Sequence, residues 1–437
     1  MRLSLSTDAA TLISLFIALK FIWDSILAGI IRSTLQVVNG NIVSICILMG
    51  ATPILTRLYS PHDMGEFAQV FALVSMLTVL STLRLGTLLL TNNKQLNAKR
   101  AAAVSIRLIL VCATVVSIGY CIAFRQPLES NDLLYGLGVL ATLISFALFD
   151  FSSYYLVSRG EYRKSGLTKA VRAAITSTIQ VLLGYAFALG LWGLLLGEFV
   201  GRLLVSFQAM RRPLLQAIKW NQQELIRTST FIKKRKGFLL YSIPTAGLNT
   251  VSLNIYPIII APTFGAAVAG SFFLIQRILG APLALMGIAL AQVYLKHTNA
   301  ENANKGKPLN HWHVLSFNCL GALIIFSALA AILFFFEEDI FGTEWKGIAQ
   351  SAFLLIPAFV AQLSTAPFSQ MLIAKNRSGI QLVLDIFRIL SYGALYFFAH
   401  FGSFKSSSLA FGYYAIVAVA YYGMQAGLGI HLKERTR

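Results

Sequence analysis

Nine ionisable side chains lie within long apolar stretches of the sequence, where a charge is costly and is usually kept for a function. They are Arg84, Arg107, Asp150, Arg172, Glu198, Arg202, Arg277, Asp385 and Arg388. Six of the nine are arginines, so the set is net basic. A binding site built from these residues would favour an anionic ligand over a cationic one.

Two pairs of these residues are spaced so that they share a helix face. Glu198 and Arg202 are four residues apart, and Asp385 and Arg388 are three apart; both are spacings of ion pairs on a helix. For Glu198 we favour a structural ion pair over a binding role. For Asp385 and Arg388 the two interpretations stay open.

The depth of each remaining arginine along its helix indicates a role. Arg277 follows Gly270 by seven residues, about 10 Å along a helix, and is expected to face a water-filled cavity. Arg84 follows Phe67 by seventeen residues, about 25 Å, so it either faces that cavity or extends to the lipid headgroups. Arg172 lies one turn from a helix end and is expected to extend to the headgroups.

Asp150 has no cationic partner at helical spacing. A lone carboxylate at such a depth could bind a proton or a sodium ion, whereas a hydrogen bond to Ser152 would also stabilise it. Asp150, Asp385 and Glu198 are the carboxylates available for coupling to a cation.

The composition indicates the elements that must hold these residues. The chain has 437 residues, of which 57% are hydrophobic and 12% charged, and its mean hydropathy is +0.70. Soluble domains carry about 25% charged residues, so we predict a polytopic membrane protein. The four cysteines, which lie in apolar runs without metal or disulfide spacing, are expected to be small buried residues.

Twelve apolar stretches are long enough to cross the roughly 30 Å of a bilayer as helices. Six lie near residues 34–58, 67–91, 101–124, 133–158, 170–189 and 191–209. Six more lie near residues 241–262, 270–295, 314–336, 348–374, 380–401 and 409–430. We therefore predict an all-α integral membrane protein with about twelve transmembrane helices in two six-helix lobes.

The predicted domain boundaries follow from the longest polar segment, 210–238. They are an N-terminal interfacial or extra helix at 1–32, a first lobe at 33–209, a basic cytoplasmic linker at 210–240 and a second lobe at 241–437. Little more than Gly190 separates the fifth and sixth stretches, which predicts a tight helical hairpin.

Prolines are expected to modify several of these stretches. Pro244 and Pro257 are expected to interrupt the seventh stretch, and Pro357 and Pro367 to bend the tenth.

Basic residues alternate between the connections of these stretches. With the N-terminus inside, the even-numbered connections hold most of the lysines and arginines, and the odd-numbered ones hold only Arg57, Arg125, Lys346 and Lys405. This asymmetry predicts that both termini lie in the cytoplasm. The external connections are short, which leaves no room for an extracytoplasmic domain. The acidic run Glu337-Glu338-Asp339 borders a helix end and has no evident partner base.

A local pattern occurs once in each half of the chain. Residues 53–67 read P-I-L-T-R-L-Y-S-P-H-D-M-G-E-F, with a proline turn that predicts the end of one helix and the start of another. Residues 257–272 read P-I-I-I-A-P-T-F-G-A-A-V-A-G-S-F, so that Gly65 aligns with Gly270. Such an echo predicts internal duplication, which is common in secondary transporters.

Three segments carry a resemblance to a known family. They are the 53–67 segment; S-R-G-E-Y-R-K-S-G at 158–166 with G-L-L-L-G-E-F-V-G-R at 193–202; and F-G-T-E-W-K-G at 341–347 with A-K-N-R at 374–377. Together they resemble the bacterial polysaccharide or O-antigen repeat-unit flippases of the Wzx type, in the multidrug/oligosaccharidyl-lipid/polysaccharide (MOP) exporter superfamily. The resemblance covers nearly all of residues 34–430, and the first 30 residues do not match.

The resemblance implies two six-helix lobes around a central cavity in the bacterial cytoplasmic membrane. The implied cargo is an undecaprenyl-pyrophosphate-linked oligosaccharide, moved from the inner to the outer leaflet for surface polysaccharide biosynthesis. A polysaccharide polymerase and a chain-length regulator are implied partners. No cofactor is expected beyond a coupling sodium ion or proton, and no nucleic acid.

A pyrophosphate headgroup needs cations, and arginine offers bidentate donors to it. Arg277, Arg84 and Arg388 are therefore the predicted substrate-binding residues, with Arg57 at the outer mouth. No catalytic residue and no structural metal site is predicted.

Three other functions stay open at this point. A flippase for a lipid-linked peptidoglycan precursor would handle the same headgroup, and a small-molecule exporter of the same superfamily would share the fold. A membrane glycosyltransferase or polymerase is disfavoured because such enzymes need a sizeable external loop. The sequence therefore favours a transporter over an enzyme.

Overall fold

The computed structural model describes residues 39–91, 98–123, 130–218, 222–302, 310–374, 378–401 and 406–434. The helix predicted at 1–32 lies outside these residues. The described chain is almost entirely helical, and none of its residues forms a strand.

The helices follow one another with short connections. In the first half they are α1 (Asn39–Leu58), α2 (Pro61–Thr82), α3 (Leu85–Thr91), α4 (Ala98–Ala123), α5 (Ser130–Ser158), α6 (Tyr162–Phe187) and α7 (Leu191–Ile218). In the second half they are α8 (Gln222–Phe264), α9 (Ala266–Asn302), α10 (His311–Phe341), α11 (Ile348–Ala374), α12 (Ser378–Phe401) and α13 (Ser407–Glu434). A 3-10 turn, Thr343–Trp345, connects α10 to α11.

Ten of the described helices contain a segment long and apolar enough to cross a membrane, and α4 adds a shorter apolar segment, Ala102–Val115. With α4 and α13, the described ranges hold twelve helices of at least 20 residues. The prediction of an all-α, multi-pass membrane protein is confirmed. The cytoplasmic position of the termini stays a prediction.

The proline turn between α1 and α2 forms where the sequence predicts it. Ser60 is the N-cap of α2: its Oγ accepts from the Asp63 backbone N–H at 3.2 Å, and Asp63 Oδ2 accepts from the Ser60 N–H at 3.1 Å. Pro61 occupies the first helical turn, where its missing N–H costs nothing. The new helix thus begins at Pro61, earlier than the predicted start at residue 67.

The tight hairpin predicted at Gly190 is also confirmed. α6 ends at Phe187 and α7 begins at Leu191. Gly190 has φ of +52°, and a Cβ placed on it would lie 2.7 Å from Asp63 Oδ1. Glycine is therefore favoured both by the backbone conformation and by the side chain that packs on it.

The prolines do not interrupt the seventh stretch as predicted. α8 continues through Pro244, Pro257 and Pro262 and is 43 residues long. Membrane helices tolerate proline because neighbouring groups satisfy the freed carbonyls. The polar segment at 210–238 is largely helical too, since α7 extends to Ile218 and α8 starts at Gln222.

α2 and α9 cross closely near their first turns. A Cβ on Gly65 would overlap the backbone of Ala266, and a Cβ on Gly270 would overlap the Pro61 carbonyl. Small residues let membrane helices approach in this way. These are the two glycines that align when the repeated pattern of the two halves is superposed, although the duplication itself stays a prediction.

Three of the four cysteines have described side chains, and none of these is the buried residue that the sequence predicts. Cys46 and Cys319 are exposed, and Cys112 is half-buried. An apolar run in a membrane helix faces lipid on one side, so apolar neighbours do not imply burial in protein.

Candidate functional site

A cavity of about 920 Å³ lies between the first-half helices α2, α3 and α5 and the second-half helices α8, α9, α11, α12 and α13. All of its lining residues lie toward one end of the bundle, about 30 Å along α2 from the Pro61 end. Its polar lining residues are Thr82, Arg84, Thr87, Asp150, Tyr154, Thr245, Asn249, Thr250, Gln362, Gln381, Asp385, Arg388, Tyr421, Tyr422 and Gln425.

A break between α2 and α3 places Arg84 in this wall. Leu83 and Arg84 have φ of 48° and 51°, a left-handed conformation that is rare for residues other than glycine. The Thr87 hydroxyl donates to the Arg84 carbonyl at 2.8 Å and holds the turn. The sequence predicts one continuous span here and misses the break. Of the two interpretations of Arg84, the structure supports the cavity.

Asp150 of α5 lines the same cavity and is exposed there. The hydrogen bond from Ser152, one of the two alternatives for Asp150, does not form, because the Ser152 hydroxyl donates to the Phe149 carbonyl at 2.7 Å. The Asp150 carboxylate is therefore open to a ligand or an ion that enters the cavity.

Asp385 of α12 is held by neutral donors from three helices. Asn249 Nδ2 donates at 3.2 Å, Ser252 Oγ at 3.1 Å, Gln381 Nε2 at 3.3 Å and the Tyr421 hydroxyl at 2.9 Å. Only 1% of Asp385 is exposed. Four hydrogen bonds stabilise a buried carboxylate without a cation.

Arg388, one turn further along α12, is enclosed by tyrosines. Its Nε donates to the Tyr392 hydroxyl at 3.2 Å, and its guanidinium carbon lies 4.7 Å and 5.4 Å from the ring centres of Tyr421 and Tyr422. The ion pair with Asp385 that one interpretation of the spacing predicts does not form, since each residue directs its hydrogen bonds elsewhere.

Two buried atoms in this part of the cavity wall have no hydrogen-bond partner among the described residues: Arg388 Nη1 and Gln425 Oε1. Arg388 and Gln425 are 1% and 3% exposed. An unsatisfied buried polar atom is costly. The cavity wall therefore contains one donor and one acceptor that no described residue satisfies.

The charges that line the cavity balance, in contrast to the net basic set in the sequence. Arg84 and Arg388 face Asp150 and Asp385. Charge alone therefore does not select an anionic cargo, because the other in-span arginines of the sequence lie outside the lining of the cavity.

Outside the cavity lining, an ion-pair cluster within the first half of the chain joins Glu198, Arg172 and Arg202. Glu198 Oε2 lies 2.8 Å from Arg202 Nε and 3.5 Å from Arg172 Nη1. The Arg202 guanidinium also stacks on Phe146, 3.5 Å from the ring centre. The structural ion pair predicted for Glu198 is confirmed. The prediction that Arg172 extends to the headgroups is wrong, since its side chain is 12% exposed and turns toward Glu198.

Arg277 and Arg57 lie away from the cavity and connect the two halves. Arg277 Nη2 of α9 donates to the Leu48 carbonyl of α1 at 2.9 Å. Arg57 Nη2 of α1 donates to the Asp339 carbonyl of α10 at 2.6 Å. In this conformation neither lines the cavity, contrary to the position expected for Arg277.

The end of the bundle that holds Arg57 has one more contact between the two halves. Trp345 Nε1 donates to the Thr56 carbonyl at 2.8 Å. Glu337 accepts from the N–H groups of Gly347 and Ala349 at the start of α11. Part of the acidic run therefore has a structural role as a helix cap.

The sequence analysis missed the neutral side chains that form most of the polar lining. Gln362, Gln381, Gln425, Tyr421 and Tyr422 lie on three different helices. One signal was readable: Gln381 precedes Asp385 by one turn, and Tyr421 precedes Gln425 by one turn. Which helices meet at the cavity is not readable from one sequence.

No protein-family profile matches the sequence, and no curated protein matches it either. Solved structures match over nearly the whole chain. An inward-facing multidrug resistance MATE family transporter of the MOP superfamily superposes with a TM-score of 0.63 and 14% identity, over 91% of this chain and 97% of that one. An outward-facing MATE transporter of the same superfamily gives 0.51 and 15%, over 93% and 95%.

A third structure is a MOP superfamily transporter from Pyrococcus furiosus, described as having a binding pocket of reversed polarity. It gives a TM-score of 0.51 and 15% identity, over 92% of this chain and 95% of that one. These similarities, all at 14–15% identity, show the fold of the chain. It is an all-helical, MATE-like fold, with a cavity lined by helices from both halves of the chain.

Proposed function

We propose that this protein is a flippase that moves an undecaprenyl-pyrophosphate-linked oligosaccharide from the inner to the outer leaflet by alternating access. The observation that carries the proposal is the cavity wall, where amides and tyrosines surround two arginines. Sugars are recognised by such groups, because amides donate and accept hydrogen bonds with hydroxyls and aromatic rings pack on sugar faces.

The two arginines supply the contact for the pyrophosphate. Arg388 has a guanidinium nitrogen without a described partner, and Arg84 faces it from the other half of the chain. A cargo bound to both would contact both halves at once. The volume of the cavity also suits a large ligand, since ligand pockets range over about 300–1,000 Å³.

Closure at the opposite end supports alternating access. The α2–α9 crossing, Arg57 and Trp345 join the two halves there. The better superposition on an inward-facing transporter agrees with a cavity that opens to the cytoplasm. Opening at the Pro61 end requires these contacts to separate, and Arg277 would release Leu48 in that step.

For coupling to a sodium ion or a proton we favour Asp385 and Asp150 over Glu198. Glu198 already has two arginine partners. Asp385 has only neutral donors, so a bound cation would compete with hydrogen bonds that can rearrange. A flux that is unchanged without any ion gradient would contradict this assignment.

The test is surface polysaccharide in a deletion strain complemented with wild type, Arg388→Gln or Arg163→Gln. Arg163 is exposed and lies outside the cavity lining, so it is the matched control. We expect the deletion and Arg388→Gln to lose polysaccharide and to accumulate lipid-linked repeat units on the inner leaflet. Normal polysaccharide in the deletion strain would refute the function; normal polysaccharide in Arg388→Gln alone would refute the site. Lysis of the deletion strain would favour a peptidoglycan precursor.

A small-molecule exporter is the second candidate, and the balanced charge of the cavity favours it. A neutral cavity of this size also suits an uncharged or zwitterionic compound. Raised sensitivity of the deletion strain to a compound panel, with unchanged polysaccharide, would select this function.

A further inference from the structure

A second cleft, of about 560 Å³, lies within the first half of the chain, where the end of α5 and the start of α6 meet the last turns of α7. It shares no lining residue with the central cavity. It contains the R-G-E-Y-R-K motif region, for which the proposed transport function has no role.

The polar part of the cleft is strongly basic. Arg159, Lys164, Arg211 and Arg212 line it against one carboxylate, Glu161. Glu161 is already engaged, at 2.8 Å from Lys164 Nζ and 3.1 Å from Arg159 Nη2. The hydrogen bond from Lys164 holds the pKa of Glu161 below its usual range, so this carboxylate stays ionised and paired.

Arg211 and Arg212 carry the excess charge. Both are exposed, and neither forms a hydrogen bond or an ion pair with another described residue. They follow a local break in α7, where Met210 has non-helical angles of φ −124° and ψ 25°, and they precede Pro213. The break lies between Ala209 and Arg211, which both line the cleft, so the geometry that exposes two adjacent arginines is built into the helix.

The cleft also has apolar lining residues, near the ends of the apolar segments of α6 and α7. They are Leu156, Leu167, Val171 and Val205, and 61% of Leu167 is exposed. The apolar segment of α6 begins at Tyr162 and that of α7 ends at Leu215. Basic groups thus stand above an apolar surface at the level where headgroups meet acyl chains.

We propose that this cleft binds an anionic glycerophospholipid, with the phosphate at Arg211 and Arg212 and an acyl chain along Leu167 and Val171. Arginine recognises phosphate with bidentate hydrogen bonds. The exposed apolar wall requires a ligand with a hydrocarbon part, which a soluble phosphate lacks. The site is independent of the cargo in the central cavity.

The test measures lipid retention by the purified full-length chain. Delipidated protein is titrated with phosphatidylglycerol or with phosphatidylcholine of the same acyl chains, and bound lipid is counted by native mass spectrometry. We expect phosphatidylglycerol to bind more tightly than phosphatidylcholine. Arg211→Gln/Arg212→Gln should weaken its binding by about 30-fold, from about fivefold for each basic group near an anionic headgroup.

Arg163→Gln is the matched control, because Arg163 is exposed at the start of α6, next to Lys164, but does not line the cleft. If the loss of binding in the Arg211/Arg212 variant is specific to the cleft and not a general charge effect, Arg163→Gln should change the affinity for phosphatidylglycerol by less than about twofold. The double variant Arg211→Lys/Arg212→Lys keeps the charge, and its affinity for phosphatidylglycerol should be within about fivefold of the wild-type affinity. If the glutamine variant fails to fold, this variant tests the site in its place.

Three results would overturn the proposal. Equal affinity for the two lipids would remove the headgroup specificity. An equal loss in Arg163→Gln would reduce the effect to surface charge. Full competition by glycerol 3-phosphate would assign the cleft to a soluble phosphate.

Discussion

Replacing Gly65 with valine adds a side chain at the point where α2 and α9 approach most closely. A Cβ there would overlap the Ala266 carbonyl, which belongs to the first turn of α9. The obstacle is backbone rather than a flexible side chain, so the two helices must separate at the end of the bundle that is closed in this structure.

The magnitude follows from the cost of overpacking. Extra methyl groups in a tight contact cost about 1–3 kcal/mol, here only in the conformation in which α2 and α9 touch. If opening this end relieves the overlap, the equilibrium between closed and open forms shifts by about 5- to 150-fold. Gly50→Val is the control, since nothing lies within 4 Å of a Cβ at Gly50.

The assay is a distance measurement between spin labels on α2 and α9. In a cysteine-free background, His62→Cys and Ala267→Cys place labels at exposed positions of the two helices. We expect Gly65→Val to add a longer distance that is absent from wild type and from Gly50→Val. An unchanged distribution in a folded Gly65→Val protein would refute the idea that this crossing closes the bundle.

Three further predictions concern other sites. Glu198→Gln leaves two largely buried guanidinium groups without their counter-ion and should lower the free energy of unfolding by about 3–5 kcal/mol, so an unchanged melting temperature would show that the cluster is not structural. Arg388→Lys keeps the charge but loses the planar group that packs on Tyr421, and should reduce transport at normal protein level; wild-type flux would contradict the stacking role. Because the hydrogen bond from Lys164 lowers the pKa of Glu161, this pair stabilises the α5–α6 turn above about pH 4 and loses its effect as the pH falls through the lowered pKa. The backbone amides of residues 159–166 should lose protection from hydrogen exchange, after correction for intrinsic rates, only below about pH 4.

The sequence predicts the helices well because the apolar lengths and turn signals are local. Ser60, Pro61 and Asp63 define a helix start by their own side chains, and Gly190 marks a hairpin by its backbone freedom. The spacing of Glu198 and Arg202 likewise predicts their ion pair, because one helix face contains both.

The site is less readable because it depends on contacts between distant helices. Arg277 and Arg84 both lie at depths that permit a cavity position, yet only Arg84 lines the cavity. The difference arises from the left-handed turn at Leu83, which no local signal predicts. Arg172 turns inward because Glu198 on a neighbouring helix neutralises it, and helical spacing within one segment cannot reveal such a partner.

The length of α8 has a mechanical consequence. Its apolar segment is Ile243–Phe264, while the helix starts at Gln222, so about 31 Å of continuous helix precedes the part that crosses the membrane. This extension acts as a lever fixed to the second half of the chain. A lobe rotation of about 10° would move its tip by about 5 Å, given that length. If the proposed alternating access includes such a rotation, a fluorophore near residue 222 would report it as a displacement of about 5 Å.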